Sequence, residues 1–476
     1  MNHRGERAWI VERAGATPDA EAMRFGEAAL RWRDLAGAAE AAAARLDALG
    51  VRRGDIVAVR MPPSPHVVAQ LHAAQMLGAA LLPLNLRLAA PEIARILDHA
   101  GPKLLVDDGA SGPAPAGDTP VVHPDDLHGH AAKSFVAPPR IDPDAALAIV
   151  CTSGTSAAPK AVVLSNANFE ASAAASRRRL GHGPGDAWLA TLPLFHVGGL
   201  AILARSVLEG SRVLLEPGFD LDRTLDVLRS GDATMVSLVP TMLGRVLDRL
   251  AGPVSPRLRC VLVGGAALAP ALGRRALEAG LPVSATYGMT ECGSQVASSV
   301  PGSDDAARGF VGLPLDGTEI LIGDADGEGV GEILVRGPSV MRGYWRNPVA
   351  TREAFDGEWL RTGDLGRLDE RGALAVTGRR DDLIVTGGEN VSPLEVEHAL
   401  DAHPSVKESL VRGEDDAEWG QRIVALVVAR DGVPPDPASL EAWSRQGLAG
   451  YKVPREFRVV TELPRNATGK LLRRRA

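Results

Sequence analysis

Short apolar runs alternate with helix-length segments from Trp32 to Gly264, and no other feature restricts the fold as much. Trp32 to Leu49 is alanine-rich, with Leu35, Ala39, Ala42, Leu46 and Leu49 near helical spacing and Gly50 as its C-cap. A turn at Gly54-Asp55 leads into the strand-like run Ile56 to Val59. Ser64 to Gly78 reads as a second helix, with Ser64 as N-cap and Pro65 at the first helical position. Ala79 to Leu84 is a strand, Pro91 to His99 a helix and Leu104 to Val106 a strand. After a Gly-, Pro-, Asp- and His-rich stretch, Gly109 to Pro139, expected as a surface loop, the alternation resumes. Its strands are expected at Ala187–Thr191, Arg212–Leu215, Thr234–Leu238 and Leu258–Gly264, with helices near Asn166–Arg179, from Gly199, at Leu221–Leu228 and at Pro240–Leu250. Strands separated by helices of this length must run parallel and be covered on both faces.

From Gly317 the texture changes to short strands and turns, for example Glu332–Arg336 and Ala373–Thr377. After Gly378 comes a tail long enough to fold separately, with strands at Leu383–Val385 and Ile423–Val428 and helices at Pro393–Leu400 and Leu440–Gln446. The expected class is therefore α/β. A large N-terminal body of mostly parallel sheets with a β-rich part spans residues 1–378, and a small α+β C-terminal domain spans residues 379–476.

Charge and cysteine content exclude several function classes. The net charge of −7 and pI near 5.9 give no global case for nucleic-acid or anionic-membrane binding. Cys151, Cys260 and Cys292 are far apart and form no C-x-x-C pair, which argues against a disulfide scaffold or zinc site and fits a reducing cytoplasm. Met1 to Arg13 has no apolar core of a signal peptide, and Leu71 to Leu86 is interrupted by His72, Gln75 and Pro83, short of a membrane span. The expectation is a cytoplasmic protein with no membrane span.

Five loop motifs carry possible chemistry. Cys151-Thr152-Ser153-Gly154-Thr155-Ser156-Ala157-Ala158-Pro159-Lys160 joins two apolar runs, Ala145–Val150 and Ala161–Leu164. It offers backbone N–H groups, hydroxyls and one ammonium to an anion, yet it is not a Walker A loop, because proline replaces the second glycine and alanine the Mg²⁺-binding hydroxyl. In isolation it reads equally as a solvated turn. Thr286-Tyr287-Gly288-Met289-Thr290-Glu291 sets a ring, a hydroxyl and a carboxylate close together, suited to a base, a phosphate and Mg²⁺, or else is a turn with a buried tyrosine. Asp364, in Arg361-Thr362-Gly363-Asp364, suits two vicinal ribose hydroxyls but also caps a turn. Gly378-Arg379-Arg380-Asp381-Asp382 and Pro464-Arg465-Asn466-Ala467-Thr468-Gly469-Lys470 are explained in isolation by a charged turn and a basic terminus.

In this order the motifs resemble those of the adenylate-forming acyl-CoA synthetase superfamily, over essentially the whole chain from Gly50-Val51-Arg52-Arg53-Gly54-Asp55 to Gly469-Lys470. The resemblance implies an ATP- and Mg²⁺-dependent ligase that joins a small-molecule carboxylic acid to a thiol through an acyl-adenylate, with CoA as co-substrate. It implies that Thr152, Ser153, Gly154, Thr155 and Lys160 wrap the β- and γ-phosphates and that Gly264, Gly265, Ala266 and Ala267 lie against adenine. Tyr287 would stack on the base beside Gly288 and Met289, Thr290 would contact the α-phosphate, and Glu291 would hold the metal. Asp364 and Arg379 would take the ribose, Asp381 would be the hinge of a mobile C-terminal domain, and Lys470 would reach the α-phosphate during adenylation. His196 aligns with a gate beside the acyl site; as a lone histidine after an apolar run it reads as a core residue. Gly387, Gly388 and Trp419 resemble residues that meet CoA, Trp419 being equally a packing residue.

Leu192–Gly199, Arg205–Gly210, Phe219-Asp220 and Tyr287–Gln295 resemble o-succinylbenzoate–CoA ligases in particular. That acid carries a second carboxylate, and the resemblance places Arg245 there, with His196, Gly288 and Gln295 lining the acyl pocket; an exposed Arg245 on an amphipathic helix is the other reading. Another aryl or medium-chain acid, or a carrier-protein thiol in place of CoA, stays open, and a homodimer is compatible with the sequence. Two departures stand out: Gly198 replaces a frequent serine, and Ser156, Ala157 and Ala161 replace threonine, glycine and glycine in the first loop.

Overall fold

The computed structural model describes residues 7–114, 117–127, 140–152, 160–386, 389–416, 419–448, 450–465 and 471–473. Within them the alternation of the body resolves into two sheets rather than one. The first has seven strands in the order Gly343–Tyr344, Lys160–Ser165, Ala146–Thr152, Ala80–Pro83, Ile56–Arg60, Leu104–Asp107, Val121–Val122. From Ala146–Thr152 onward they are parallel, whereas Ala146–Thr152 and Lys160–Ser165 form an antiparallel pair. In the nine-stranded second sheet the parallel centre runs Val283–Tyr287, Cys260–Val263, Met235–Leu238, Ala187–Ala190, Arg212–Leu215, Glu21–Phe25.

Period-two alternation sorts the second sheet's side chains. Ala187, Leu189, Val236, Val261 and Val263 meet Leu225, Leu228, Leu243 and Val246 of the helices Leu221–Ser230 and Pro240–Arg249. Trp188, Ala190, Met235, Cys260 and Leu262 face the other way, onto Phe169, Leu200, Leu203 and Val207 of Asn166–Leu180 and Val197–Glu209. This second cluster continues without a break into Val57, Leu81, Val106 and Ala148 of the first sheet. The helix Pro65–Leu77 lies in that shared layer with every residue from Val67 to Met76 buried. A helix buried on every side, carrying only Gln70, His72 and Gln75 as polar residues between Val67 and Met76, belongs in such a layer. No helix among the described residues is long and apolar enough to cross a membrane.

The β-rich part is an antiparallel sheet of Glu319–Gly323, Gly331–Arg336, Trp359–Leu368 and Phe355–Asp356, with Leu374–Arg379 on Trp359–Leu368. A further sheet starts at Ile384–Thr386 and includes the hairpin Val406–Asp416 with Gly420–Ala429. It has its own core of Ile384, Val396, Leu400, Val411, Ile423 and Leu440. The expected elements recur within a few residues of their positions. The stretch Gly109–Pro139 is not all loop, since Val121–Val122 joins the first sheet and Pro124–Leu127 forms a 3₁₀ turn that buries Leu127. Sequence patterning also missed Trp9–Ala16, the hairpin Glu21–Phe25/Ala28–Arg31, Pro270–Glu278 and Val406–Asp416. The hairpins are short or dense in charge, so their apolar alternation is weak.

One carboxyl in the small lobe makes stability depend on pH. Burial pushes Asp401 up to about 8, with Glu397 and Glu408 adding to the rise against a lowering hydrogen bond from Ser409 Oγ at 2.7 Å. In an unfolded chain this group ionises near ~4. The folded lobe therefore holds the proton more tightly, and its stability falls as pH rises from about 4 through about 8. Asp401→Asn is expected to leave the melting temperature near that of the wild type at pH 5 and raise it at pH 9. An equal shift at both pH values would rule out Asp401 as the titrating group.

Candidate active site

Strand pairing fixes the mouth of the first motif. Thr152 and Lys160 are opposite residues of the antiparallel pair, and Thr152 Oγ1 donates to the Lys160 carbonyl at 3.2 Å. Ser153, Gly154 and Thr155, with the departures Ser156 and Ala157, lie outside the described residues. On the far side of Lys160–Ser165, Gly343–Tyr344 adds as an antiparallel edge, and the Lys160 ammonium sits 5.2 Å from the centre of the Tyr344 ring. Tyr344 Oη donates to Glu291 Oε1 at 3.0 Å, and burial, then the Glu291 charge, raise the phenol above its usual range. Residues far apart in sequence thus place one ammonium and one carboxylate on either side of a single phenol.

The second motif follows Val283–Tyr287. A Cβ at Gly288 would meet the Ser294 carbonyl oxygen at 1.6 Å, so only glycine permits the chain to fold back on itself here. Thr290 opens a 3₁₀ turn, Thr290–Cys292, and Met289 packs on the body core. Tyr287 is buried, and its Oη donates to Asp364 Oδ2 at 2.7 Å; burial, then the Asp364 charge, hold that phenol well above its usual range. Arg379 Nε donates to Asp364 Oδ1 at 2.8 Å, as the pairing of Trp359–Leu368 with Leu374–Arg379 sets those two residues opposite one another. Gly265 and Ala266 lie exposed after Cys260–Val263, and a Cβ at Gly264 would stand 2.5 Å from Thr286 Cγ2. Tyr287, Asp364, Arg379, Glu291 and Lys160 are thereby linked in two contact groups joined by the turn 287–291.

The carboxyl end of Ala187–Ala190 leads to the acyl-site candidates. His196 is the N-cap residue of Val197–Glu209, with its ring 4.6 Å from that of Phe195. Burial, with Arg87 adding, lowers it to about 4, so the imidazole is neutral above about pH 5. A Cβ at Gly199 would lie 2.4 Å from the Pro193 carbonyl oxygen, whereas Gly198 has only Leu192 Cδ1 at 3.4 Å. Beneath that helix the sheet face is polar: Trp188 Nε1 donates to Ser237 Oγ at 3.0 Å, and Gln295 Nε2 to Ser298 Oγ at 2.9 Å. Gln295 Oε1 is buried without a hydrogen-bond partner among the described residues.

Sequence reasoning missed the most unusual group on this face. Arg205 is 1% exposed, its Nε and Nη2 have no partner among the described residues, and its guanidinium lies 5.4 Å from the Trp188 ring centre. Burial lowers it to about 10, so it stays charged at neutral pH. The available signal was an arginine inside the apolar helix Leu200–Leu208. Arg245, by contrast, is exposed and stacks on Phe219 with 5.2 Å to the ring centre. Trp419 is stacked by Arg455 at 4.0 Å. Gly387, Gly388, Lys470 and the side chain of Asp381 lie outside what is described.

Known proteins share this fold over nearly the whole chain. The AMP-binding enzyme model matches residues 10–345, and the AMP-binding enzyme C-terminal domain model residues 395–470. The chain is 40% identical over 471 residues to 2-succinylbenzoate–CoA ligase of Geobacillus kaustophilus, covering 98% of this chain and 96% of the relative. Among solved structures, o-succinylbenzoate CoA synthetase of Bacillus subtilis with its acyl-adenylate intermediate superposes with a TM-score of 0.92 at 35% identity, covering 98% of this chain and 97% of that one. With ATP and magnesium ion the same protein gives 0.91 at 34% identity, covering 98% of each chain. A double mutant of it bound to a product analogue gives 0.76 at 35% identity over 98% of this chain and 97% of that one, a different overall shape of the same fold. The chain belongs to the AMP-binding enzyme family.

Proposed function

We propose that this protein is an AMP-forming acid–CoA ligase whose acid is o-succinylbenzoate. In the first step a carboxylate oxygen attacks the α-phosphorus of ATP, forming an acyl-adenylate and releasing diphosphate. In the second the CoA thiolate attacks the acyl carbon and AMP leaves as the thioester forms. Both steps gather negative charge on oxygen, so the residues act mainly by position and fixed charge.

Lys160 and Thr152, with Ser153, Gly154 and Thr155, are assigned to the β- and γ-phosphates, Thr290 to the α-phosphate and Lys470 to the transferring oxygens. Asp364 and Arg379 take the ribose, where their mutual bond already orients both. Tyr287 stacks on adenine with its hydroxyl fixed by Asp364, and Gly265 and Ala266 border the base. Glu291 suits Mg²⁺, a hard cation that takes one or two carboxylates and fills its shell with water and phosphate oxygens. No group of three His, Cys, Asp or Glu among the described residues offers an all-protein cage, and the single buried carboxylate of Glu291, held by Tyr344, agrees with that mode. When bound, the metal would neutralise phosphate charge. Gly387, Gly388 and Trp419 are assigned to CoA, and Asp381 to the pivot between residues 1–378 and the lobe from residue 379 on. Free Cys151, Cys260 and Cys292 accord with work in a reducing cytoplasm.

Arg205 carries the choice of acid. A buried guanidinium with two nitrogens lacking hydrogen-bond partners among the described residues is costly unless an anion arrives to meet it. Arg205 is carried on the helix that His196 caps and lies against Trp188, with Cys260 and His182 nearby. A second carboxylate, separated from the reacting one by an aromatic ring, supplies such an anion. We assign that contact to Arg205, directly or through water, in preference to the exposed Arg245.

Purified protein with ATP, Mg²⁺ and CoA is expected to convert o-succinylbenzoate to its CoA thioester with release of AMP, read by mass spectrometry against a panel of aryl and medium-chain acids. Preference for an acid lacking the second carboxylate would defeat the substrate assignment. Adenylate formation with CoA failing as acceptor would point instead to a carrier-protein thiol.

A further inference from the structure

Residues on either side of Asp381 are tied to different bodies. Arg379 is bonded to Asp364, and Arg380 Nη1 to Glu332 Oε2 at 3.2 Å, so both belong to the body. Asp382 belongs to the lobe: it pairs at 3.4 Å with Arg473, whose guanidinium also grips Glu397 at 2.5 and 2.8 Å. Rotation of the lobe is thus confined to the link between residues 380 and 382. Besides the turn's own bond, from the Leu383 N–H to the Arg380 carbonyl at 3.5 Å, one side-chain hydrogen bond crosses that link among the described residues. Ser392 Oγ, at the N-cap of Pro393–Asp401 in the lobe, donates to the carbonyl oxygen of Thr377 in the body.

A gap in the body makes room for this contact. Gly378 has φ +153°, and a Cβ there would sit 2.9 Å from Ser392 Oγ. Ser392 therefore enters a notch that exists because residue 378 has no side chain. We propose that Ser392 is a positioning residue: its bond to Thr377, seated over Gly378, latches the lobe in the adenylate-forming orientation and must break before the thioester-forming one is reached. The proposal rests on the two-step ligase reading above. Because its donor and acceptor lie on opposite sides of the pivot, the bond stabilises one orientation and not the other, so its loss shifts the population between them.

The two half-reactions separate this latch from a merely structural contact. Full-length wild type, Ser392→Ala, Ser392→Thr and Gly378→Ala are assayed for ATP–diphosphate exchange with the acid present and for thioester formation from supplied acyl-adenylate and CoA. Ser392→Ala is expected to lose about fivefold in exchange, the shift that about 1 kcal/mol of net hydrogen bonding produces, while the thioester step is unchanged or faster. Ser392→Thr keeps the hydroxyl and should stay near the wild type, and Gly378→Ala should follow Ser392→Ala by displacing the serine. Equal losses in both half-reactions, or unchanged exchange in folded Ser392→Ala, overturn the proposal. If the wild type itself performs neither half-reaction, the ligase reading fails instead. Distances between spin labels at the exposed positions 349 and 433 then decide the latch alone, and the same distribution with and without the Ser392 hydroxyl overturns it.

Discussion

Arg205→Leu is expected to raise KM for o-succinylbenzoate about a hundredfold while changing KM for an aryl acid without the second carboxylate by less than about threefold. A charge-assisted contact between guanidinium and carboxylate contributes about 1.5–3 kcal/mol, which is about ten- to a hundredfold, and desolvation of the substrate carboxylate without its partner adds to the loss. Leucine fills similar apolar volume, so the layer between the sheets stays packed. It also removes a buried charge whose Nε and Nη2 lack hydrogen-bond partners among the described residues, so the ligand-free protein should melt at a higher temperature. Arg205→Lys should recover only part of the affinity, because an ammonium is a point charge without the planar fork. Proportional loss on both acids, or a lower melting temperature for Arg205→Leu, would mean that the guanidinium is a structural group rather than the substrate's counter-ion.

Lys470→Ala should lower adenylation by a factor of about 10²–10³, the usual effect of deleting one fixed group that meets developing oxyanion charge. Thioester formation from supplied adenylate should be largely spared, because in that step the lysine is assigned no contact. The chain on both sides of residues 466–470 is well held. Arg465 and Leu471 form an antiparallel bridge, Leu472 N donates to the Pro464 carbonyl at 2.9 Å, and Arg473 is clamped by Glu397. Loss of Lys470 should therefore leave the lobe's fold and melting temperature intact. Equal loss of both half-reactions would contradict a lobe that presents different residues in the two steps.

What the sequence disclosed follows from the range of the signals. Apolar periodicity is local, so the strands and helices between Ile56 and Val263 were legible to within a few residues. Whether those strands form one sheet or two depends on pairings such as Leu81 with Ala148 and Trp188 with Met235, which no local pattern encodes. The motif residues Tyr287, Glu291, Asp364 and Arg379 were found by their order along the chain. Their hydrogen bonds to one another were not, because the partners lie 77 residues apart for Tyr287 and Asp364 and 53 for Tyr344 and Glu291. Tyr344, in Gly343-Tyr344-Trp345, gave no sign of lying between Lys160 and Glu291. Arg205 was hidden differently: its neighbours in sequence marked a buried helix, and only the structure shows that its Nε and Nη2 lack hydrogen-bond partners among the described residues.

The helix Pro65–Leu77 has a consequence for modularity. Because both sheets of the body rest against the layer that contains it, neither sheet can be excised as a minimal nucleotide-binding unit without exposing a helix that has no polar face. The small lobe, with a core of its own, is under no such constraint. Exchange of parts between relatives should therefore succeed at the junction after residue 378 and fail between the two sheets, so that the lobe can be replaced whole while changes within the body must come by point substitution.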